Sequence, residues 1–442
     1  MPVAVNATEA QRLEQQNPGV SESLKPAANI DLKDVVSEPL LPSVTAVEPA
    51  ATVAPEVNSN ADALPVEIPA STAEPVSSMT IEPKTETLKT ELTQPPLILL
   101  HSEVLPGTTT RLAWTPSVSF MGISAPTAVL VINGVKPGPT LCLTAAIHGD
   151  ELNGIEIVRR VLYNIEPQEL SGAIIGVPIV NLQGFRAGSR YLTDRRDLNR
   201  FFPGHPQGSS ASRIAYSFFN EVVRHCDMLI DLHTGSFRRT NLPQLRADLN
   251  YPAVKELSRK MGAIVVVQSV GGERTLRRAA TESGIPAVTL EAGAPHELQK
   301  DAVEYGVKSV ESALDGLGLI DRHSFWQRVD EPVYYKSTWV RSSEGGILFS
   351  EVELGQSVDE GELLGAVTDP ITNQRHEIRS TYRGRIIGMA LNQVMHSGFA
   401  AYHIGIEASV MDVMDELESN EGADSEANNN TEFAEPGDVS DE

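Results

Sequence analysis

The sequence predicts an α/β fold with a mostly parallel sheet, followed by a small β-rich domain. Three observations carry that reading. Between Leu97 and Leu317, apolar runs of strand length alternate with segments whose apolar residues recur at helical spacing. His148, His233 and Glu291 each stand at the end of such a strand-like run, where open α/β sheets bind ligands. From about Trp326 the helical period vanishes, and short β-prone runs alternate with glycine turns.

Composition separates the folded part from its tails. Residues 1–95 hold 12 prolines, 14 acids and 5 bases, and no Phe, Tyr or Trp. Such a segment cannot bury enough apolar surface to offset the entropy of ordering it. Residues 412–442 carry 12 acids and no Lys or Arg and are expected to be disordered as well. The net charge of −24 therefore sits mostly in the tails, while 96–411 has 33 acids against 30 bases. The expected division is a disordered acidic tail over 1–95, a catalytic domain over 96–322, a β-rich domain over 323–411 and a disordered acidic tail over 412–442.

The same numbers exclude some classes. An acidic chain argues against non-specific nucleic-acid binding. No basic stretch followed by an apolar one opens the chain, and no run reaches the length of a membrane span. A cytoplasmic protein with no membrane and no nucleic-acid partner is expected; a homo-oligomer is left open. Cys142 and Cys226 lie inside apolar stretches and read as two core thiols, not as a disulfide scaffold.

The elements follow in order. Leu97 to His101 is the first apolar run. Ala128–Asn133 reads as a strand, 134–139 as a turn and Thr140–Ile147 as a buried strand. Gly154–Tyr163 repeats Ile155, Val158 and Leu162 at helical spacing, and Gly172–Val180 is a strand. Residues 209–224 read as a helix, and Met228–Leu232 as a short strand delivering His233. Helices over Tyr251–Met261, Thr275–Ser283 and Leu298–Leu317 alternate with strands over Ala263–Gln268 and Ala287–Glu291.

The chemistry concentrates at the strand ends. His148-Gly-Asp-Glu151 follows one strand and precedes a helix, and Asp231-Leu-His233-Thr-Gly follows another. Two imidazoles and one carboxylate form a ligand set that leaves a coordination position open, as a hydrolase requires for activating water. Such a set suits zinc, or iron in a facial triad; nothing suggests redox work, so one zinc per chain is expected. In Asp197-Leu-Asn199-Arg200 the guanidinium fork and the asparagine amide match a substrate carboxylate. A separate arginine would hold a developing oxyanion. Glu291, at a strand end among apolar residues, suits a general base.

Together these motifs resemble the succinylglutamate desuccinylase/aspartoacylase family, relatives of the zinc carboxypeptidases. His148-Gly-Asp-Glu151, Asp197-Leu-Asn-Arg200, Asp231-Leu-His-Thr-Gly235 and Leu290-Glu-Ala-Gly293 occur in the family order, over roughly 96–320. The resemblance implies a zinc-carboxypeptidase-like three-layer α/β/α domain with a mixed, mostly parallel sheet. It implies His148, Glu151 and His233 as zinc ligands, Glu291 as base, and Asn199 and Arg200 as carboxylate anchors. It implies Arg190, followed by Tyr191, as the oxyanion arginine, with Arg195 and Arg196 as rivals because the interval is longer here. Arg277 or Arg278 would hold the acyl group. The C-terminal part resembles a biotinyl/lipoyl-type hammerhead, but Asp369-Pro-Ile-Thr-Asn373 lacks the lysine that such domains present.

The expected activity is zinc-dependent amide hydrolysis of N-acyl amino acids or related small N-acyl compounds. A carboxypeptidase-like action on peptide C-termini is the alternative, since Asn199 and Arg200 would serve either substrate. A non-catalytic scaffold would show the loss of a ligand or of Glu291, and both are retained.

Overall fold

Strands covered by helices on both faces must be apolar on both faces, and the central strands here are. The structure, a computed structural model, describes residues 94–116, 125–321, 331–391 and 393–406. The two tails expected to be disordered lie outside the described residues, apart from Gln94 and Pro95.

The α/β part runs β1 (Leu97–Leu99), β2 (Ser102–Val104), β3 (Thr108–Trp114), β4 (Thr127–Asn133), β5 (Lys136–Ala145), α1 (Asn153–Tyr163), β6 (Ser171–Val177), α2 (Leu182–Ala187), α3 (Ser210–Glu221), β7 (Met228–His233), β8 (Arg239–Ala247), α4 (Pro252–Lys260), β9 (Val265–Gln268), α5 (Leu276–Glu282), β10 (Ala287–Gly293) and α6 (Lys300–Gly316). The C-terminal part is all β: β11 (Val333–Tyr334), β12 (Ser337–Arg341), β13 (Gly346–Ser350), β14 (Ser357–Val358), β15 (Leu363–Thr368), β16 (Arg375–Arg379), β17 (Gly384–Ala390), β18 (Val394–Met395) and β19 (Ala400–Ile406).

Side-chain alternation along the strands divides the core into two layers. Leu141 and Leu143 of β5 face α1, α4 and α6 with Ile230, Leu232 and Leu290. Cys142 faces the opposite way, with Leu229, Phe218 and Phe219 of α3 and Ala279 of α5. The result is the three-layer α/β/α arrangement. The inner strands β10, β7, β5 and β6 are parallel; β3, β4 and β8 join antiparallel, so the sheet is mixed.

Several expectations need correcting. The turn over 134–139 is shorter: β5 already begins at Lys136, with Pro137 and Pro139 at its irregular start, where missing N–H groups cost no ladder bond. The helix over 209–224 ends at Glu221, followed by a 3-10 turn at Val223–His225. Cys142 and Cys226 are not two free thiols but a disulfide, with Cα atoms 5.7 Å apart. Both cysteines are buried as expected, but only Cys142 sits in an element; Cys226 lies between the 3-10 turn and β7. That β5 and the lead into β7 are neighbours is a tertiary fact which brings the sulfurs together.

The C-terminal strands do not stand apart. β12, β19 and β17 continue the central sheet through the β17–β8 pairing, giving the order β12-β19-β17-β8-β10-β7-β5-β6-β4-β3. A four-stranded sheet, β16-β15-β13-β18, covers them across a core that includes Leu348, Leu364, Ile386 and Tyr402.

Candidate metal centre and its cleft

Three parallel strands end together. β5 pairs β7 with Ala145 opposite Leu232, and β7 pairs β10 with His233 opposite Glu291. The chain leaves β5 through Ala146, which takes a left-handed backbone (φ 49°) and whose carbonyl accepts from Asn181 N at 2.9 Å. Gly149 then packs against α2 so closely that a Cβ would lie 2.0 Å from the Gly184 backbone. Only glycine fits there, and this approach sets the loop carrying His148 and Glu151.

His148, Glu151 and His233 are buried, and each offers a ligand atom within 4.8 Å of the others. Both Nδ1 atoms face Glu151, His148 at 2.9 Å from Oε1 and His233 at 2.9 Å from Oε2. Both outer nitrogens meet carboxylates: His148 Nε2 lies 3.0 Å from Asp197 and His233 Nε2 lies 2.8 Å from Asp231. Thr144 in turn donates to Asp231 at 2.7 Å. Carboxylates on the outer nitrogens are how proteins orient metal-binding histidines. The donor set could therefore hold a metal ion such as zinc.

Electrostatics agree with a site built for positive charge. Burial would raise the Glu151 carboxyl, but the two imidazoles and their hydrogen bonds outweigh it and hold it well below the usual carboxylate range. Burial also opposes ionisation of Asp197, yet His148 and Arg190 bring it well below its ordinary value. Asp231 and Glu151 raise His233 against burial. Histidine binds a metal ion in its neutral form, so a cation here would compete with protons for these imidazoles.

The expected arginines separate. Arg190 lines the cleft, donating to Asp197 at 2.9 Å, Ser236 at 2.7 Å and Glu151 at 3.3 Å. Its rivals lie elsewhere: Arg195 is exposed, and Arg196 pairs with Asp194 at 3.5 Å. Asn199 and Arg200 line the cleft from a 3-10 turn that Asp197 caps. Asn199 Oδ1 accepts from Leu276 N at 2.8 Å, tying this turn to α5. Arg277 is buried in the cleft wall and donates to the Ser269 carbonyl at 2.7 Å. Arg278, the other candidate acyl contact, is not among the residues that line the cleft. One residue further round α5, where successive helical side chains diverge by about 100°, it pairs with Glu282 at 2.8 Å and donates to the Gly271 carbonyl at 3.3 Å.

Glu291 lines the same cleft. Asn241 Nδ2 donates to its Oε2 at 3.1 Å, and Arg246 Nε lies 3.4 Å from its Oε1. The sequence reading missed both, because β8 (Arg-Thr-Asn-Leu-Pro-Gln-Leu-Arg-Ala) has too many polar residues to read as a strand. It also gave no role to Asp197 and Asp231. For Asp231 a signal was present, since residues two apart on a strand share a face.

Residues 137–317 match the succinylglutamate desuccinylase/aspartoacylase catalytic-domain family. The chain is similar to an N-α-acetyl-L-2,4-diaminobutyric acid deacetylase of Halomonas elongata, 28% identical over 245 residues, covering 52% of this chain and 71% of that protein. It is also similar to a succinylglutamate desuccinylase of Pseudomonas aeruginosa, 29% identical over 199 residues, covering 40% of this chain and 59% of that enzyme. Among solved structures, the product-bound ectoine utilization protein EutE (DoeB) of Ruegeria pomeroyi superposes with a TM-score of 0.61 at 25% identity, covering 67% of this chain and 94% of that one. A succinylglutamate desuccinylase/aspartoacylase of Rhodobacter sphaeroides shares the fold, with a TM-score of 0.60 at 21% identity, covering 68% and 96%.

Proposed function

We propose, from the premise that residues 137–317 are a succinylglutamate desuccinylase/aspartoacylase catalytic domain, that the protein is a zinc-dependent deacylase of small N-acyl amino acids. The observation that carries this reading is the rim itself. Three ligand residues converge there, and Glu291 stands in register beside His233. His148, Glu151 and His233 would hold one zinc ion. A zinc ion held there supplies a Lewis acid and makes water acidic enough to serve as nucleophile near neutral pH.

The chain's own residues supply the rest. Glu291 takes a proton from the attacking water and delivers it to the departing amine. Arg190, fixed by Asp197 and Ser236, faces the developing oxyanion with a charge that need not reorganise. Asn199 and Arg200 hold the substrate carboxylate, and Arg277 bounds the acyl side. The relatives named above are a deacetylase and a desuccinylase, which supports acyl removal over the carboxypeptidase-like alternative.

The test is a screen of N-acetyl and N-succinyl amino acids, alongside short peptides, with the zinc-loaded protein. Released amine and about one zinc per chain are expected. Turnover of peptides alone would favour the alternative. Among the described residues no helix is long and apolar enough to cross a membrane. The cytoplasm remains the proposed compartment, with neither a nucleic acid nor a membrane as partner. Cell fractionation checks the location, and thiol titration of the recovered protein reports whether Cys142 and Cys226 are bridged there.

A further inference from the structure

The strand carrying Glu291 is reached from the C-terminal β strands by a single lateral row. Gly293 of β10 lies opposite Asn241 of β8, and Asn241 lies opposite Gly388 of β17. Gly388 lies opposite His403 of β19, which lies opposite Trp339 of β12. Five residues on five adjacent strands therefore stand side by side, and the buried Asn241 amide donates to Glu291 Oε2 at 3.1 Å.

Packing along the row is tight. A Cβ at position 388 would sit 2.7 Å from Asn241 Oδ1 and 3.3 Å from His403 Cβ. The Asn241 side chain thus occupies space that exists only because residue 388 has none. Behind it, the His403 ring stacks on Trp339 at 4.5 Å and 9°, and its Nε2 shares a hydrogen bond with Ser337 at 2.9 Å. A second tie runs beside the first: Gln244, opposite Glu291, donates to the Ile387 carbonyl at 3.0 Å. That carbonyl lies where the β17–β19 register shifts.

We propose that Asn241, seated against Gly388, is a positioning residue for the Glu291 carboxylate, and that β17 and β19 are thereby part of the catalytic apparatus. The inference rests on the reading of Glu291 as the base. A carboxylate that relays a proton must present one oxygen to the water and later to the amine, and small misplacements cost rate steeply. A neutral amide donor fixes one oxygen without adding charge. Its aim is set by a strand from outside the matched catalytic domain.

The test uses the full-length, zinc-loaded protein and whichever N-acetyl or N-succinyl amino acid the screen finds turned over. Asn241→Ala and Gly388→Ala should each lower kcat about tenfold to a hundredfold. KM should stay within about threefold, because only the proton relay is disturbed. Zinc content should not change. Gly388→Ala acts through Asn241, so it should cost little further in the Asn241→Ala background. Ile371→Ser, at an exposed hairpin tip in the same β-rich part, should leave kcat as in the parent.

Wild-type kcat in Asn241→Ala would overturn the inference, as would additive losses in the double variant. So would a crystal structure of Gly388→Ala in which Asn241 still bonds Glu291. If Gly388→Ala fails to fold, Asn241→Ala, which only removes atoms, decides alone. Glu291→Gln separates the two levels. Full turnover in that variant removes the base reading and this inference with it. Its collapse alongside an unaffected Asn241→Ala removes this inference only.

Discussion

Glu291 can lose its basicity and keep its shape. Glu291→Gln is expected to retain zinc, because His148, Glu151 and His233 are untouched. Turnover should fall roughly a hundredfold or more through loss of the proton relay. Metal analysis beside steady-state kinetics checks this, and near-normal turnover with zinc bound would assign the proton to another group. Arg200→Ala probes substrate recognition instead. Substrates with a free carboxylate should lose on the order of 2–5 kcal/mol in kcat/KM, while their amides lose far less. Equal losses would make Arg200 a transition-state or loop residue. At this scale much was legible. His148, Glu151, His233 and Glu291 are polar residues at the ends of apolar runs, and that contrast survives in a bare sequence. The carboxylates behind the histidines were visible as letters but not as partners. Asp197 meets His148 across 49 residues of chain, which no local pattern encodes.

Among the elements, α5 offers the sharpest contrast between neighbours. Arg277→Ala should lower kcat/KM by tenfold or more if its buried guanidinium bounds the acyl site, since buried charged contacts are worth about 2 kcal/mol or more. Arg278→Ala, which removes a surface pair with Glu282 and a 3.3 Å bond to the Gly271 carbonyl outside the cleft lining, should change kcat/KM by less than about twofold. The reverse result would mean that the helix is turned in solution. α1, α5 and α6 were readable because their buried residues recur at helical spacing. β8 was not, because its polar residues serve a site inside the protein and so imitate a loop. The disulfide was hidden for a related reason, as it joins elements 84 residues apart. Closing so long a loop should stabilise the chain by roughly 2–5 kcal/mol, chiefly by restricting the unfolded state. Cys142→Ser should lower the denaturant midpoint accordingly, and reductant should then have no further effect. An unchanged midpoint would show that β5 and the lead into β7 hold without the bond.

Charge at the scale of the whole molecule is lopsided, and the sequence alone sufficed to see it: residues 96–411 are close to neutral while the tails are strongly acidic. The change of texture near Trp326 was equally plain, but texture does not say whether two regions share a sheet. They do, because β17 hydrogen-bonds to β8 at Gly388, Met389 and Ala390, and β11 pairs with β9. That seam has a consequence for how the molecule comes apart. Two regions joined by backbone ladder bonds cannot melt separately without exposing strand edges inside a continuous sheet. Calorimetry should therefore record one heat-absorption peak, with calorimetric and van't Hoff enthalpies in agreement, despite a length at which chains commonly unfold in stages. Two resolved peaks would mean that the β17–β8 seam parts first. In that case the hold on Glu291 would be lost well below the temperature at which the His148, Glu151 and His233 cluster unravels.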